Sequence, residues 1–255
     1  MTRPKILLQA AALALLLLPL AQGLPLPQGL APLTQGDECR LLRFPDVHQD
    51  TIVFVYGGDI WTVSAEGGMA SRLTTFPGSE SKPKFSPDGK TIAFNASYDG
   101  NGDLYSMGVD GGAPKRLTYH PDGDSIIDWM PDGKTILFNS GRESNSYRYR
   151  KIFAISKDGG LAESLPMPRG GLASASPDSK RLAYNRLFRE SATWKRYMGG
   201  MAQDIWIFDL EDNNAERITE FEGTDNFPMW VDENKLYFVS DRSHTANLFR
   251  YDFDS

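Results

Sequence analysis

The residue types that most often perform catalysis are present in this chain, but they are not arranged for it. The histidines His48, His120 and His244 form neither an H-E-x-x-H pair nor any other pair at metal-ligand spacing. Ser174 ends the segment 170–174 without the following glycine of a nucleophile elbow. A glycine-rich phosphate loop is also missing from the sequence. The sequence therefore predicts no catalytic residue, no metal site and no cofactor in this chain.

Two basic, aromatic segments are better candidates for a binding function. They are residues 141–150 and residues 186–203, and the second also contains Arg186 and Arg189. Arginine and lysine bind carboxylates through charge-assisted hydrogen bonds, so these segments could receive a peptide carboxylate or an acidic partner domain. The alternative is that both are solvated loops or packing segments. The predicted binding residues are Arg142, Arg148, Arg150, Lys195 and Arg196.

The elements that must position these residues come from an internal repeat. Residues 85–94, FSPDGKTIAF, return as residues 129–138, WMPDGKTILF, shifted by 44 positions. Weaker copies begin at Ala175 and Trp230, and a degenerate first copy begins at Phe44. A self-similar period of this length is typical of repeat architectures, and the copies predict five units.

Each unit has the pattern of four short strands. The S-P-D-G turn joins the first two strands of a unit. The third strand is a further run of alternating apolar and polar residues, such as Asp59-Ile60-Trp61-Thr62-Val63, and a paired-glycine turn then leads to a fourth strand that ends in R-L-T or R-I-T. Proline presets φ at a turn, aspartate hydrogen-bonds back to the backbone, and glycine accepts the left-handed conformation. Four short strands in about 40–50 residues are the signature of a propeller blade.

Two groups of recurring residues have both a functional and a structural interpretation. Asp88, Asp132 and Asp178 could be calcium ligands, but each follows a proline inside its own turn, and turn chemistry accounts for all of them. The recurring tryptophans could form an aromatic ligand cage, but their strand positions favour a core between blades. They are Trp61, Trp129, Trp206 and Trp230.

The predicted fold is all-β: a β-propeller of four-stranded antiparallel blades, five present of an expected six, with an incomplete ring. The predicted domains are a signal peptide at 1–23, a proline- and glycine-rich linker at 24–40 and the propeller at 41–255. Its units lie near 41–76, 77–120, 121–166, 167–221 and 222–255.

The amino terminus predicts export. Arg3 and Lys5 precede an apolar run at 6–20, and small residues follow, which is the layout of a signal peptide. That run is shorter than the roughly 20 residues of a spanning helix, so we expect no membrane segment after cleavage and a periplasmic or extracellular location. The single cysteine, Cys39, is expected to be a free thiol. A formal charge of -6 argues against a nucleic-acid partner.

Three further segments make the chain more specific than a generic propeller. Residues 41–46 (LLRFPD), 194–200 (WKRYMGG) and 225–230 (DNFPMW) together resemble the amino-terminal propeller of bacterial tricorn proteases, and the resemblance runs from about Leu41 onward. The W-K-R-Y-x-G-G segment is the specific mark. The S-P-D-G repeat alone is shared with the periplasmic propeller of the Tol system and with other exported propellers.

The resemblance implies a serine peptidase in which this chain is a non-catalytic propeller. Members of the family combine two propellers with a PDZ module and a catalytic region whose serine and histidine have no counterpart here. The implied role is to gate or channel peptides to that region, so the expected partners are peptides or downstream domains, and homo-oligomerisation stays open. The alternative is a periplasmic binding or scaffold propeller like that of the Tol system.

Overall fold

The computed structural model describes residues 41–144, 149–190 and 196–254. Over these residues the structure contains nineteen strands and no helix. The strands form five antiparallel sheets in chain order, four with four strands and the last with three. Each strand pairs with the next one along the chain, so every sheet is a meander. The predicted all-β propeller and its five blades are confirmed.

The first two blades have short connections between their strands, of at most six residues. Blade 1 contains β1 (Arg43–His48), β2 (Thr51–Tyr56), β3 (Asp59–Ser64) and β4 (Ser71–Arg72). Blade 2 contains β5 (Glu80–Phe85), β6 (Thr91–Ala96), β7 (Asp103–Gly108) and β8 (Gly111–Arg116).

Blades 3 and 4 carry the two longest connections within a blade, residues 141–150 and 185–205. Blade 3 contains β9 (Asp124–Trp129), β10 (Thr135–Ser140), β11 (Lys151–Ser156) and β12 (Glu163–Ser164). Blade 4 contains β13 (Ala173–Ala175), β14 (Arg181–Tyr184), β15 (Trp206–Asp209) and β16 (Ala215–Arg217). Blade 5 contains β17 (Asp225–Asp232), β18 (Lys235–Ser240) and β19 (Asn247–Asp252).

The S-P-D-G turns close the hairpins between first and second strands as predicted. Asp132 accepts hydrogen bonds from the backbone N–H groups of Lys134 and Thr135, at 2.8 and 2.9 Å. These bonds lower the pKa of Asp132, although desolvation opposes them. Gly133 has φ 64°, and Ser179 takes the equivalent left-handed position with φ 60° where the turn has no glycine. Turn formation thus accounts for these repeated aspartates.

The hydrophobic core lies between the blades. Each pair of consecutive blades encloses one buried cluster, and Trp129 belongs to the cluster between blades 2 and 3. The clusters are built from alternate residues of the second and third strands, such as Ile136, Phe138 and Phe153. A blade with two apolar faces cannot bury both alone, so consecutive blades stabilise one another.

Hydrogen bonds that recur along the repeat also connect consecutive blades. Asn95 donates to the carbonyl of Asp124 and accepts from the amide of Ile126, both at 2.8 Å, which ties blade 2 to blade 3. Asn185 in blade 4 donates in the same way to the carbonyl of Asp225 in blade 5, at 2.9 Å. Each asparagine is buried, so it satisfies backbone groups that the neighbouring blade leaves unpaired.

The threonine of the R-L-T or R-I-T motif forms hydrogen bonds within its own blade. Thr74, Thr118 and Thr219 are almost fully buried, and each hydroxyl accepts a hydrogen bond from a backbone amide at the start of the third strand of its blade. The donors are the amides of Ile60, Leu104 and Ile205. The preceding arginines of blades 1 and 2 donate from Nε to the carbonyl of the same threonine. The motif therefore holds the outermost strand onto its blade.

Candidate functional site

The described parts of the two basic segments lie together on one rim of the propeller. Residues 141–150 connect β10 to β11, and residues 185–205 connect β14 to β15. They meet where the guanidinium of Arg150 lies 4.8 Å from the ring centre of Phe188. This contact places the two loops side by side.

Residues 186–190 form a segment that reaches across the end of the central channel, and we call them the channel segment. Glu190 forms an ion pair with Lys82 on β5, the first strand of blade 2. The Lys82 ammonium also lies 5.0 Å from the ring centre of Phe188. Lys82 also donates to the Ser125 hydroxyl on β9 of blade 3 at 2.8 Å. Because the first strands of consecutive blades contact one another around the axis, these contacts bridge blades 2 and 4 at the axial end of blade 3. A hydrogen bond from Asn226 to the carbonyl of Arg189 adds a tie to blade 5.

Local backbone features place both partners of this contact. Lys82 lies at a bulge in β5, where the pairing with β6 shifts, and it has φ 53°. A bulge of this kind re-aims one side chain out of the regular pleat. On the other side, the channel segment passes directly over Gly171, and a Cβ there would lie 2.8 Å from the Phe188 Cα. A side chain at position 171 would therefore collide with the backbone of the channel segment.

Arg142, a predicted binding residue, is held within blade 3. Its guanidinium pairs with the buried Asp124 at 2.5 Å and donates to the Ser140 hydroxyl, and it lies 5.1 Å from the ring centres of Phe138 and Phe153. Blade 5 repeats the arrangement: Arg242 pairs with Asp225 at 2.7 Å, donates to Ser240 and covers Phe238 and Phe249. The same contacts in two blades give Arg142 a structural role.

The other predicted residues are placed differently. Arg150 donates to the Asn139 carboxamide oxygen at 3.0 Å, and burial lowers the pKa of its guanidinium. Arg196 is exposed, and its Nε donates to the carbonyl of His244 in blade 5 at 3.1 Å. Arg148 and Lys195 lie outside the described residues. A role in binding stays a prediction for all five.

A concavity opens beside the channel segment. This cavity of about 770 Å³ lies between blades 3 and 4, within the size range of small-molecule sites. It is lined by the arginines of the channel segment, by Arg169 and Arg217, and by three aromatic residues, Tyr149, Phe188 and Trp206. The carboxylates on its wall are those of Glu190 and Asp204.

Both of those carboxylates are already paired. Glu190 faces Lys82, and Asp204 lies 3.4 Å from Arg217. Burial raises the pKa of Asp204, and the Arg217 charge opposes the rise. Desolvation also raises the pKa of Tyr184, against the lowering effect of the Arg186 and Arg169 charges. The charges of Arg186 and Arg169 therefore both oppose the rise in the pKa of the buried Tyr184 hydroxyl.

Several of these residues were not singled out by the sequence. Arg169 and Gln203 lie on the cavity wall, and Trp206, assigned to the core on sequence grounds, lines the cavity as well as packing against the core cluster of blades 3 and 4. No motif in the sequence distinguishes Lys82 from the other residues of its strand. One sequence feature does distinguish blade 4: Gly170 replaces the acidic residue found at the same repeat position in blades 2, 3 and 5.

Two further observations concern the described residues only. Among them, no group of three or more histidine, cysteine, aspartate or glutamate side chains is placed to hold a metal ion. In the same part of the chain there is no helix with the length and apolar character needed to span a membrane.

The fold and this rim define the class of protein: a β-propeller with four-stranded antiparallel blades, basic insertions on one rim and a segment across one channel mouth. Residues 39–255 match the family described as the tricorn protease N-terminal beta propeller domain. The chain belongs to this family.

Curated relatives agree with the assignment. The chain is 31% identical over 217 residues to tricorn protease homolog 1 of Streptomyces coelicolor, a match that covers 85% of this chain and 20% of that protein. It is 27% identical over 211 residues to the tricorn protease homolog of Saccharolobus solfataricus, covering 82% and 20%. The chain thus spans about a fifth of the length of these relatives.

Solved structures show the same fold. The crystal structure of the tricorn protease superimposes with a TM-score of 0.72 at 24% identity, covering 84% of this chain and 21% of the other. A putative TolB from Agrobacterium tumefaciens superimposes with a TM-score of 0.64 at 21% identity, covering 84% and 72%. At these identities the structural matches establish the architecture alone.

Proposed function

We propose that this chain is the amino-terminal propeller of an exported tricorn-like serine peptidase, and that it controls the passage of peptides to a catalytic region elsewhere in a longer protein. Family membership and the share of the relatives that the chain spans support this proposal. The expected reaction is hydrolysis of peptide bonds, performed outside this chain. Within it, the described residues supply a channel and its closure.

The observation that carries the gating role is the contact across the channel mouth. Glu190 and Phe188 of blade 4 meet Lys82 of blade 2 over the axis, and Arg150 of blade 3 lies against the same phenylalanine ring. The Lys82 and Glu190 side chains are only 16% and 22% exposed, so water screens their attraction less than that of a surface pair. The segment nevertheless belongs to a loop rather than to a sheet, so it can open without disrupting a blade.

The gene itself offers the first test. We expect the reading frame beyond codon 255 to encode a further blade, a second propeller, a PDZ-like module and a serine peptidase domain. The protein made from the whole frame should cleave fluorogenic peptides, and a serine-directed inhibitor should abolish the cleavage. A frame that stopped after one or two further blades would overturn the proposal and leave a scaffold propeller of the Tol type.

Export is the second part of the proposal, and it is supported by the basic, apolar and small-residue layout of residues 1–23. Residues 1–40 fused to a reporter that is active only outside the cytoplasm should give full reporter activity. The matched control replaces two leucines in the run at 6–20 by arginine, which should abolish the signal. Equal reporter activity from both fusions would refute export by this leader.

A further inference from the structure

A buried acidic residue begins the innermost strand in blades 2, 3 and 5. In each blade the acid lies five residues before an aromatic residue of the same strand, which is Phe85, Trp129 or Trp230. A side chain just after the second strand of the same blade binds the acid. The bonds measure 2.6, 2.5 and 2.7 Å. The pairs are Glu80 with Tyr98, Asp124 with Arg142 and Asp225 with Arg242.

Blade 4 lacks this carboxylate. Counting back five residues from Ala175 gives Gly170, which has no side chain. The residue that binds the acid is also replaced in blade 4, because Phe188 stands where Tyr98, Arg142 and Arg242 stand in the sister blades. Arg186, which directly follows Asn185, stands at the position of Ser140 and Ser240. Blade 4 therefore lacks both members of the sister blades' pair and carries Arg186 as an additional cation in the same connection.

Arg186 and Arg169 are arranged to receive an anion. The guanidinium of Arg186 lies 4.7 Å from the Trp206 ring, and that of Arg169 lies 5.3 Å from the Tyr149 ring. Among the described residues, neither forms an ion pair with a carboxylate. An aromatic partner holds a guanidinium in place and leaves its N–H edge available for a planar carboxylate.

Gln203 provides an independent indication that the cavity takes an acceptor. Its side-chain oxygen accepts from the Leu187 amide at 3.3 Å, which fixes the orientation of the carboxamide because that amide can only donate. The opposite atom, Nε2, is buried and has no hydrogen-bond partner in the described structure, and the residue is only 4% exposed. Gln203 lines the same cavity as Arg169 and Arg186. A buried donor without an acceptor is costly, so an incoming oxygen atom would stabilise it.

We propose that this cavity binds an acidic side chain of a peptide. The carboxylate of an aspartate or glutamate residue would lie between the guanidinium groups of Arg186 and Arg169, in a blade that has no buried acid of its own at Gly170. The Nε2 of Gln203 would donate a further hydrogen bond. The two carboxylates on the cavity wall each have a cation beside them, which reduces their repulsion of this ligand: Glu190 pairs with Lys82, and Oδ2 of Asp204 lies 3.4 Å from Arg217. Oδ1 of Asp204 is buried and has no hydrogen-bond partner in the described structure. The site is a property of this chain and does not require the longer protein to be a peptidase.

Titration calorimetry with three blocked or free tripeptides tests the proposal on the purified chain. The first probe is an acetylated and amidated peptide with glutamate between two alanines, the second has glutamine in its place, and the third is acetyl-trialanine with a free carboxyl terminus. We expect the glutamate peptide to bind at least about tenfold more tightly than the glutamine peptide, as charge-assisted hydrogen bonds predict.

Variants then connect the binding to the cavity. Arg186→Gln and Arg169→Gln should each weaken binding of the glutamate peptide by about tenfold or more, and Arg186→Lys should have an intermediate effect. The matched control is Arg72→Gln, which removes the same charge from an arginine paired with Asp59 in blade 1. It should leave the affinity unchanged. Circular dichroism melting curves establish that each variant is folded.

Three results would overturn the proposal. Equal affinity for the glutamate and glutamine peptides would show that the side-chain carboxylate is not recognised. Unchanged affinity in the folded Arg186 and Arg169 variants would place binding elsewhere. Binding of the free-acid trialanine alone would identify a terminal carboxylate rather than an acidic side chain as the ligand.

Discussion

At the scale of single residues, the repeat conserves polar groups that complete buried hydrogen bonds. Thr74 accepts from the Ile60 amide at 2.8 Å and donates to Glu80 at 3.1 Å, and it is fully buried. Glu80 in turn accepts from the Tyr98 hydroxyl. None of these groups can be replaced by an apolar one without leaving its partner unsatisfied, since water cannot enter to take its place.

Replacing Thr74 by valine should therefore lower the free energy of unfolding by about 1–3 kcal/mol, because the Ile60 amide would lose its acceptor. Urea unfolding followed by circular dichroism measures the change. Thr75→Val is the matched control, since the same replacement at the exposed neighbouring residue should change the free energy of unfolding by less than about 0.5 kcal/mol. Equal effects of the two replacements would contradict the role given to the buried hydroxyl.

Glu80 makes stability depend on pH. Desolvation raises its pKa above the ordinary value of 4.5, even though hydrogen bonds from Tyr98 and Thr74 oppose the shift. The folded state therefore holds this proton more tightly than the unfolded state, so the contribution is complete below pH 4.5 and is lost as the pH rises through the folded pKa. Glu80→Gln should be more stable relative to the wild type at pH 7 than at pH 4. Parallel urea-unfolding profiles of the two proteins between pH 4 and pH 7 would contradict this.

At the scale of strands and loops, a single glycine decides where the channel segment can lie. The segment passes over Gly171, the residue that corresponds to Ser125 of blade 3. Blade 4 also has the longest connection between second and third strands, residues 185–205. Loop length permits the crossing, and the absent side chain at position 171 allows close approach of the two backbones.

Gly171→Ala should displace the channel segment, because the new Cβ would collide with the backbone of Leu187 and Phe188. Trypsin should then cleave after Arg186 and Arg189 several times faster than in the wild type. Gly200→Ala is the control: it lies in the same connection, and an added Cβ meets nothing within 4 Å. Unchanged cleavage in Gly171→Ala would show that the segment accommodates the methyl group where it lies.

At the scale of the whole molecule, the propeller holds together through its consecutive blades, while the channel segment contacts blades that are not neighbours of one another. The buried clusters lie between the faces of consecutive blades, and the asparagine bonds follow the same order. The Lys82–Glu190 pair adds a contact between blades 2 and 4 that the stacking of blades does not require. Removing it should therefore affect passage through the channel more than folding.

In the protein made from the complete reading frame, Glu190→Gln should raise the turnover of long peptides more than that of short ones, since the channel mouth would open more readily. The comparison uses fluorogenic substrates of about 5 and 20 residues. Glu211→Gln serves as the control, because its surface pair with Lys180 is far more exposed and should contribute little. An equal change for both substrate lengths would contradict a gating role for the pair.

The repeat, the four-strand blade, the chemistry of the turns and the family could be predicted from the sequence, because these depend on local periodicity and on the conformational preferences of proline, aspartate and glycine. The tertiary structure alone showed that Arg142 is a blade contact, that Lys82 faces Glu190 across the channel, and that Arg169, Arg186 and Gln203 share a cavity. These relations join residues up to 108 positions apart. They depend on how the blades pack around one axis, which the pattern within a single repeat does not encode.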